Sequence, residues 1–397
     1  MGKDAVEYRC MVYFGLVDAL ACAVKKEKYR RDDLTSSFVC DILSLSASHK
    51  VLIAVFPLLS EFLDFDKRTL WEREYSRCLR QYILQDSLSR KVFSDLAGRD
   101  VDFLPIKGFA VRKFYPENVI RQSGDVDFVY REKDADAVDS VMKSNGFTKS
   151  DTDENHSVYI LGDVKAEAHD IITSFSDIAK EYYSDVWSMA REQDGDGHCY
   201  RFSVSDEYIY MVVHTAKHFL DGSAGLRSLT DSYVLRGQRE FDREYADRKL
   251  SALRLLKFAN NLDALADEYF SPTDNKKNDK REGSTILETF FISSGYVTNQ
   301  SLSASYRAYL SKKSGSRLKY YFRSFFLPYS AMKKKYPTLR KLPFLLPFFW
   351  VKRLFDAGRK GHVKEADIPS GFDKKTAGKW CRYISECGLG EYINKSL

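Results

Sequence analysis

The sequence predicts an α+β fold, with a small mixed sheet carried between helical regions on its N- and C-terminal sides. Three observations predict it. Residues 1–95 place apolar side chains at helical spacing with few turn signals. Residues 96–200 hold short runs rich in Val, Ile, Phe and Tyr, punctuated by glycine, which read as strands. Residues 201–310 return to helical spacing. The expected organisation is an N-terminal helical region (1–95), a sheet-bearing unit (96–200), a second helical region (201–310) and a basic, aromatic-rich C-terminal region (311–397).

Within the first region, MVYFGLVDALACAV and SFVCDILSLSASHKVLIAVFPLLSEFL read as helices. Arg68–Leu96 reads as one long amphipathic helix, with Leu70, Tyr75, Leu79, Tyr82, Leu88, Val92 and Leu96 as a stripe docking on the next unit. In the second region, VDFLPI and DVDFVY are strands. Lys107-Gly108 forms the turn from the first strand into a helix that Pro116 closes. Asp134–Ser144 is helical and stops at Asn145-Gly146. HSVYILG and VKAEAHDII form a hairpin whose second strand lies beside the DVDFVY strand.

Asp125 and Asp127 are two residues apart on a strand, so they share one face, about 6.5–7 Å apart. Two like charges aimed at one spot repel unless a cation sits between them. A hard divalent ion with oxygen ligands, Mg²⁺ or Mn²⁺, meets that need. Upstream, a strand that ends in glycine at a helix entrance leaves backbone N–H groups for an anion, and Lys107 adds a point charge. Strand, glycine turn, helix and Asp-x-Asp strand together describe a site for a nucleoside triphosphate and its metal.

The stretch resembles the nucleotidyltransferase superfamily that includes DNA polymerase β. It is more closely similar to a bacterial nucleotidyltransferase family associated with exopolysaccharide and modified-peptide gene clusters. The residues that carry the resemblance are Ile106-Lys107-Gly108, Phe114-Tyr115 and Arg121-Gln122-Ser123-Gly124-Asp125-Val126-Asp127. The departure is Phe109, where many superfamily members have a second small residue. In that family a third acid follows on a neighbouring strand as acid-x-His, which Glu167-Ala168-His169 matches; period two sends Glu167 and His169 to one face. The resemblance implies Asp125, Asp127 and Glu167 as metal ligands and catalytic groups, with Glu167 alternatively a base on the attacking hydroxyl. An exposed strand glutamate is the plain alternative. Asp163 and Asp170 are weaker candidates for that role. Lys107, Gly108, Arg121 and Ser123 would meet the nucleotide, and His169 either pairs with Glu167 or contacts substrate.

In the third region, SDEYIYMVVHTAKHFL is a helix with Ser205 as its N-cap. His214 and His218 share a face, but Thr215 stands where a zinc protease needs glutamate, which excludes that reading. The family shows a similar H-x-x-K-H helix followed by Gly-Leu-Arg and an Asp, here Lys217, His218, Gly225-Leu226-Arg227 and Asp231. By resemblance this helix pair walls the site, with Lys217 and Arg227 available to phosphates and His218 to substrate. An Arg227–Asp231 ion pair at i,i+4 is the structural alternative. Ser271–Ser284 is polar and reads as a mobile loop or linker.

Composition bounds the rest. The 397 residues are 44% hydrophobic and 30% charged, as in soluble globular proteins. Seven scattered cysteines form no C-x-x-C pair, so neither zinc nor a disulfide framework is expected, and a reducing cytoplasm is. No basic-then-apolar leader and no apolar run of membrane-spanning length occurs. Charge is uneven: residues 311–360 hold nine Lys and five Arg against one acid, while the chain's net charge is only +6. That segment fits buried packing with snorkelling cations, an anionic membrane surface at the inner face, or a nucleic-acid track. The expected function is Mg²⁺-dependent transfer of a nucleoside monophosphate from an NTP to an acceptor hydroxyl, on a sugar, natural product, protein or RNA. The competing class is a non-catalytic nucleotide-binding or scaffold module at the membrane surface in polysaccharide assembly, which Phe109 favours.

Overall fold

The computed structural model describes residues 3–293 apart from 32–33, 153–155, 173–175, 194–195, 222–223 and 272–281, together with 329, 332, 336–340, 342–350, 352, 382–390 and 392. Four helices open the chain: α1 (Lys3–Lys25), α2 (Ser36–Ser48), α3 (Leu52–Leu59) and α4 (Phe65–Ala97). The sheet-bearing part runs β1 (Phe103–Ile106), α5 (Lys107–Val111), β2 (Val126–Tyr130), α6 (Ala135–Ser144), β3 (Thr148–Thr152), β4 (His156–Leu161), β5 (Val164–His169), α7 (Asp177–Tyr182), β6 (Arg191–Gln193) and β7 (Asp196–Arg201). Then follow α8 (Val204–Asp221), α9 (Arg227–Arg236), α10 (Arg243–Ala252), α11 (Leu256–Phe270) and α12 (Glu282–Ser293). The fold is α+β, as the sequence predicts.

Among the described residues, seven strands lie in the order β3-β4-β5-β2-β1-β7-β6. β5 pairs with β2 in parallel, as β7 does with β1, and the remaining neighbours are antiparallel. Side-chain alternation then divides the molecule. Phe103, Phe128, Tyr130, Ala166 and Ala168 face one core with Val92, Phe93 and Leu96 of α4 and Val138, Val141 and Met142 of α6. Leu104, Ile106 and Val129 point the other way, into a larger core shared with the N-terminal helices and α8–α12. The faces are not equivalent. Asp127 and Glu167 lie on the second one, towards the helical body.

The 33 residues of α4 begin at Asp64, whose carboxylate accepts the Lys67 N–H at 3.0 Å. Its first half meets the larger core through Trp71, Tyr75, Cys78 and Tyr82, and its last turns cover the sheet. Phe56 stacks on Tyr75 at 4.8 Å. The expected stripe holds in its second half, but Leu70 is 61% exposed because Trp71 and Tyr75 define the buried face there.

The N-cap of α8 is Ser203 rather than Ser205. Ser203 Oγ accepts the Asp206 N–H at 3.1 Å, the side-chain cap of the first turn, and donates to the Asp206 carboxylate at 2.6 Å. Ser205 instead accepts the Asp242 N–H at 2.8 Å, tying α8 to the start of α10.

The polar stretch at 271–284 is described only at its ends; residues 272–281 lie outside the described residues, and from Glu282 the chain is already helical. Residues 382–390, on which the sequence is silent, form a bent helix whose Ile384, Cys387 and Leu389 complete the larger core. Gly388, at φ +97, approaches the Phe258 backbone so closely that a Cβ would sit 2.7 Å from its nitrogen. Of the basic segment 311–360, all but 329, 332, 336–340, 342–350 and 352 lies outside the described residues. Met332, Leu339 and Phe349 form a small separate cluster. Among the described residues no helix is long and apolar enough to cross a membrane.

Candidate active site

β2 and β5 set the geometry. Their parallel register places Asp127 directly opposite Glu167 and Val129 opposite His169. Ligand atoms of Asp127, Glu167 and His169 lie within 4.8 Å of one another, a group able to hold a metal ion. The sequence-predicted trio is thus brought together in part. Asp125, one residue before β2, stands at the rim, where its carboxylate lies 3.7 Å from Lys165 Nζ; His169 takes the third place in the cluster.

Asp127 is 1% exposed and unequally satisfied. Its Oδ1 accepts from Lys107 Nζ and from His169 Nε2, the latter at 3.1 Å, while its Oδ2 is buried without a hydrogen-bond partner. A buried carboxylate oxygen left bare is costly. It matches what a hard cation seeks, and the two carboxylates and imidazole suit Mn²⁺ as well as Mg²⁺. Burial works against ionisation of Asp127, but Lys107 and His169 outweigh it and hold its pKa well below the usual carboxylate range. Asp125 shifts the other way, pushed up by burial and by the Asp127 charge. Two acids in one site with opposed shifts are characteristic of functional positions.

Lys107 reaches the acids from a turn. It leaves β1 at φ +56, a left-handed conformation that costs a lysine about 1 kcal/mol. Its ammonium bonds Asp127 and lies 3.6 Å from Glu167 Oε2. Burial would lower its pKa, yet the neighbouring Asp127 raises it above the ordinary lysine value. Lys165, on the same face of β5, bonds Glu167. Strict alternation in VKAEAH puts Lys165 on that face as clearly as Glu167 and His169, though no motif singles it out.

The other candidates divide by what they touch. Gly108 is buried, and a Cβ there would lie 2.9 Å from Ser123 Cβ, so the glycine permits the 121–125 loop to close on α5. Ser123 Oγ donates to the Asp125 carbonyl at 2.8 Å and braces that loop. The Arg121 guanidinium is taken up by Asp231, and Tyr115 Oη donates to the same carboxylate at 2.6 Å. Asp231 therefore pairs with Arg121. Arg227 donates to the Gln122 carbonyl at 2.7 Å. Lys217 is half-buried on α8. His218 and His214 meet through their Nε2 atoms at 2.9 Å, and His214 stacks on Tyr210. His156 stacks on His169 at 5.1 Å. Asp163 is exposed in the β4–β5 turn.

Phe109 does not enter the acid cluster. Its ring packs edge-on against Phe93 at 5.1 Å and lies under the Arg112 guanidinium at 3.9 Å, with the core on the opposite face of the sheet from Asp127.

A mixed sheet with facing acids on adjacent parallel strands, approached by a lysine–glycine turn, is the architecture of a nucleotidyltransferase. The chain belongs to the uncharacterised nucleotidyltransferase family, whose model matches residues 40–271. No curated protein and no solved structure matches it.

Proposed function

We propose that the protein is a metal-dependent enzyme that moves a nucleoside monophosphate from an NTP to an acceptor hydroxyl, with release of pyrophosphate. The observation that carries this reading is the unpartnered Oδ2 of buried Asp127 facing Glu167 across the β2–β5 pair. Asp127 and Glu167, with Asp125 at the rim and His169 beside them, would hold Mg²⁺ or Mn²⁺. When bound, such an ion supplies charge neutralisation at the phosphates and lowers the pKa of an attacking hydroxyl. The chain's own groups do the rest. His169 fixes the orientation of the Asp127 carboxylate, and Lys107 exchanges that carboxylate for a phosphate oxygen as nucleotide enters. The acceptor is a hydroxyl of a sugar, natural product, protein or RNA.

The test is incubation with each of the four α-labelled NTPs, Mg²⁺ and a cell lysate as acceptor source, following transferred label and pyrophosphate. Asp127→Asn and Glu167→Gln should each lower transfer by a factor on the order of 10³ with the fold intact. Transfer at the wild-type rate by either variant would reject the scheme.

A second reading, a nucleotide-binding or scaffold module without turnover, is favoured by the ammonium of Lys107 between the two carboxylates. Nucleotide binding without pyrophosphate release from any NTP would establish it. A membrane-surface role for residues 311–360 draws support from Phe344 and Phe348, 73% and 63% exposed beside a basic stretch. Flotation with anionic but not neutral vesicles is the expected result.

A further inference from the structure

The α2–α3 turn meets the site at the loop that carries Asp125. His49 closes α2, and its Nδ1 accepts the Leu226 N–H at 3.3 Å, which seats the turn on the first residues of α9. The Ile53 N–H donates to Gln122 Oε1 at 3.1 Å, which seats the same turn on the 121–125 loop. Between these two anchors lies Lys50, at φ +55, the left-handed residue that ends the helix. The residue is exposed, but its ammonium is drawn in over Gly124: a Cβ on Gly124 would stand 2.7 Å from Lys50 Nζ. Glycine at 124 therefore makes room for that ammonium.

Several cations converge there. Arg227 reaches the Gln122 carbonyl, and Lys165 stands 3.7 Å from Asp125. Neither Lys50 nor Arg227 forms an ion pair with a carboxylate among the described residues. Loss of solvent and the repulsion of Arg227, with smaller contributions from Lys165 and Arg121, push the Lys50 pKa down, while Asp125 pulls it up. Lys50 and Arg227, two positive charges at one loop with no ion-paired acid of their own among the described residues, repel each other, and a multivalent anion relieves that repulsion.

We infer that Lys50 and Arg227 form a polyphosphate cradle, with Lys50 holding the β- and γ-phosphates of the nucleoside triphosphate beside the Asp127–Glu167 pair. The inference rests on the proposed function for the identity of the anion and on the cation geometry for its place. It makes the N-terminal helical region part of the substrate site, because Lys50 comes from the α2–α3 turn. The chemistry it selects is a chain of phosphate oxyanions rather than a base or a sugar.

The experiment measures binding of each NTP with Mg²⁺, of the matching monophosphates, and of inorganic tripolyphosphate, by calorimetry on the full chain. Lys50→Ala should weaken NTP and tripolyphosphate at least about tenfold while changing monophosphate affinity less than about twofold. Lys50→Arg should retain most of the affinity. Gly124→Ala, which displaces the ammonium, should reproduce the loss, and it decides the matter if Lys50→Ala proves misfolded by circular dichroism. Unchanged NTP affinity in the soundly folded variants, or an equal loss for monophosphates, would overturn the cradle. Wild-type protein that binds tripolyphosphate but no NTP would uphold the cradle and reject the nucleotide reading. Failure to bind either would reject both.

Discussion

Arg121 grips Asp231 with two parallel hydrogen bonds, Nε to Oδ1 at 2.6 Å and Nη2 to Oδ2 at 2.7 Å, joining the Asp125 loop to α9. Both residues are buried, 8% and 4% exposed, and Tyr115 adds a third bond to the carboxylate. Removing one partner of such a pair strands the other charge, at a cost of roughly 3–5 kcal/mol. Asp231→Ala should lose stability on that scale in chemical denaturation. Arg121→Lys should recover little of it, because an ammonium cannot supply the planar fork. A Lys variant as stable as the wild type would mean that the pairing geometry is unimportant.

On the proposed function, Lys107 and a divalent ion would be alternative counter-charges for Asp127. Lys107→Met should therefore lower the melting temperature in chelator, since the buried carboxylate loses its main cation. Millimolar Mg²⁺ or Mn²⁺ should then raise the melting temperature of the variant more than that of the wild type. Equal responses would show that the lysine and the ion do not compete.

Glu207 is fully buried on α8 with both carboxylate oxygens unpartnered, and burial pushes its pKa up to about 8, against the pull of Lys113 and Arg201. A raised carboxyl pKa means that the folded state holds this proton more tightly than the unfolded chain. Its contribution is complete below about pH 4.5 and is lost as pH rises through about 8. Glu207→Gln should match the wild type near pH 4 and exceed it by a few kcal/mol above pH 8. Melting curves across that range check it; parallel pH dependences would contradict the assignment.

Gly108→Ala places a methyl group against Ser123 and should cost about 1–3 kcal/mol. Pairing it with Ser123→Gly should restore much of that loss, a coupling that a double-mutant cycle in urea measures. Additive effects would place the strain elsewhere.

Period-two spacing foretold that Glu167 and His169 share a face, and the hairpin beside the Asp-x-Asp strand followed from VYIL and VKAEAH. Glycine signals located the ends of β1 and α6. Other features depended on tertiary contacts that no local pattern encodes. Asp125 and His169 exchanged places in the acid group because β2 begins at Val126, which leaves Asp125 at the rim. Arg121 reads as an anion binder until α9 brings Asp231 to it across 110 residues. Lys50 carries no motif at all. Its position relative to Gly124 arises from the docking of the α2–α3 turn. The helix at 382–390 was equally silent, since its apolar residues are few and gain meaning only against α11 and α12.

Asp127 and Glu167 meet only through a parallel pairing, and parallel neighbours cannot be joined by a tight turn. The chain must complete α6 and the β3–β4 hairpin before β5 can dock. During synthesis the acid pair thus stays apart until residue 169 has left the ribosome and closed the sheet. A nascent chain arrested earlier in that excursion would have its first aspartates and yet lack the glutamate that faces them.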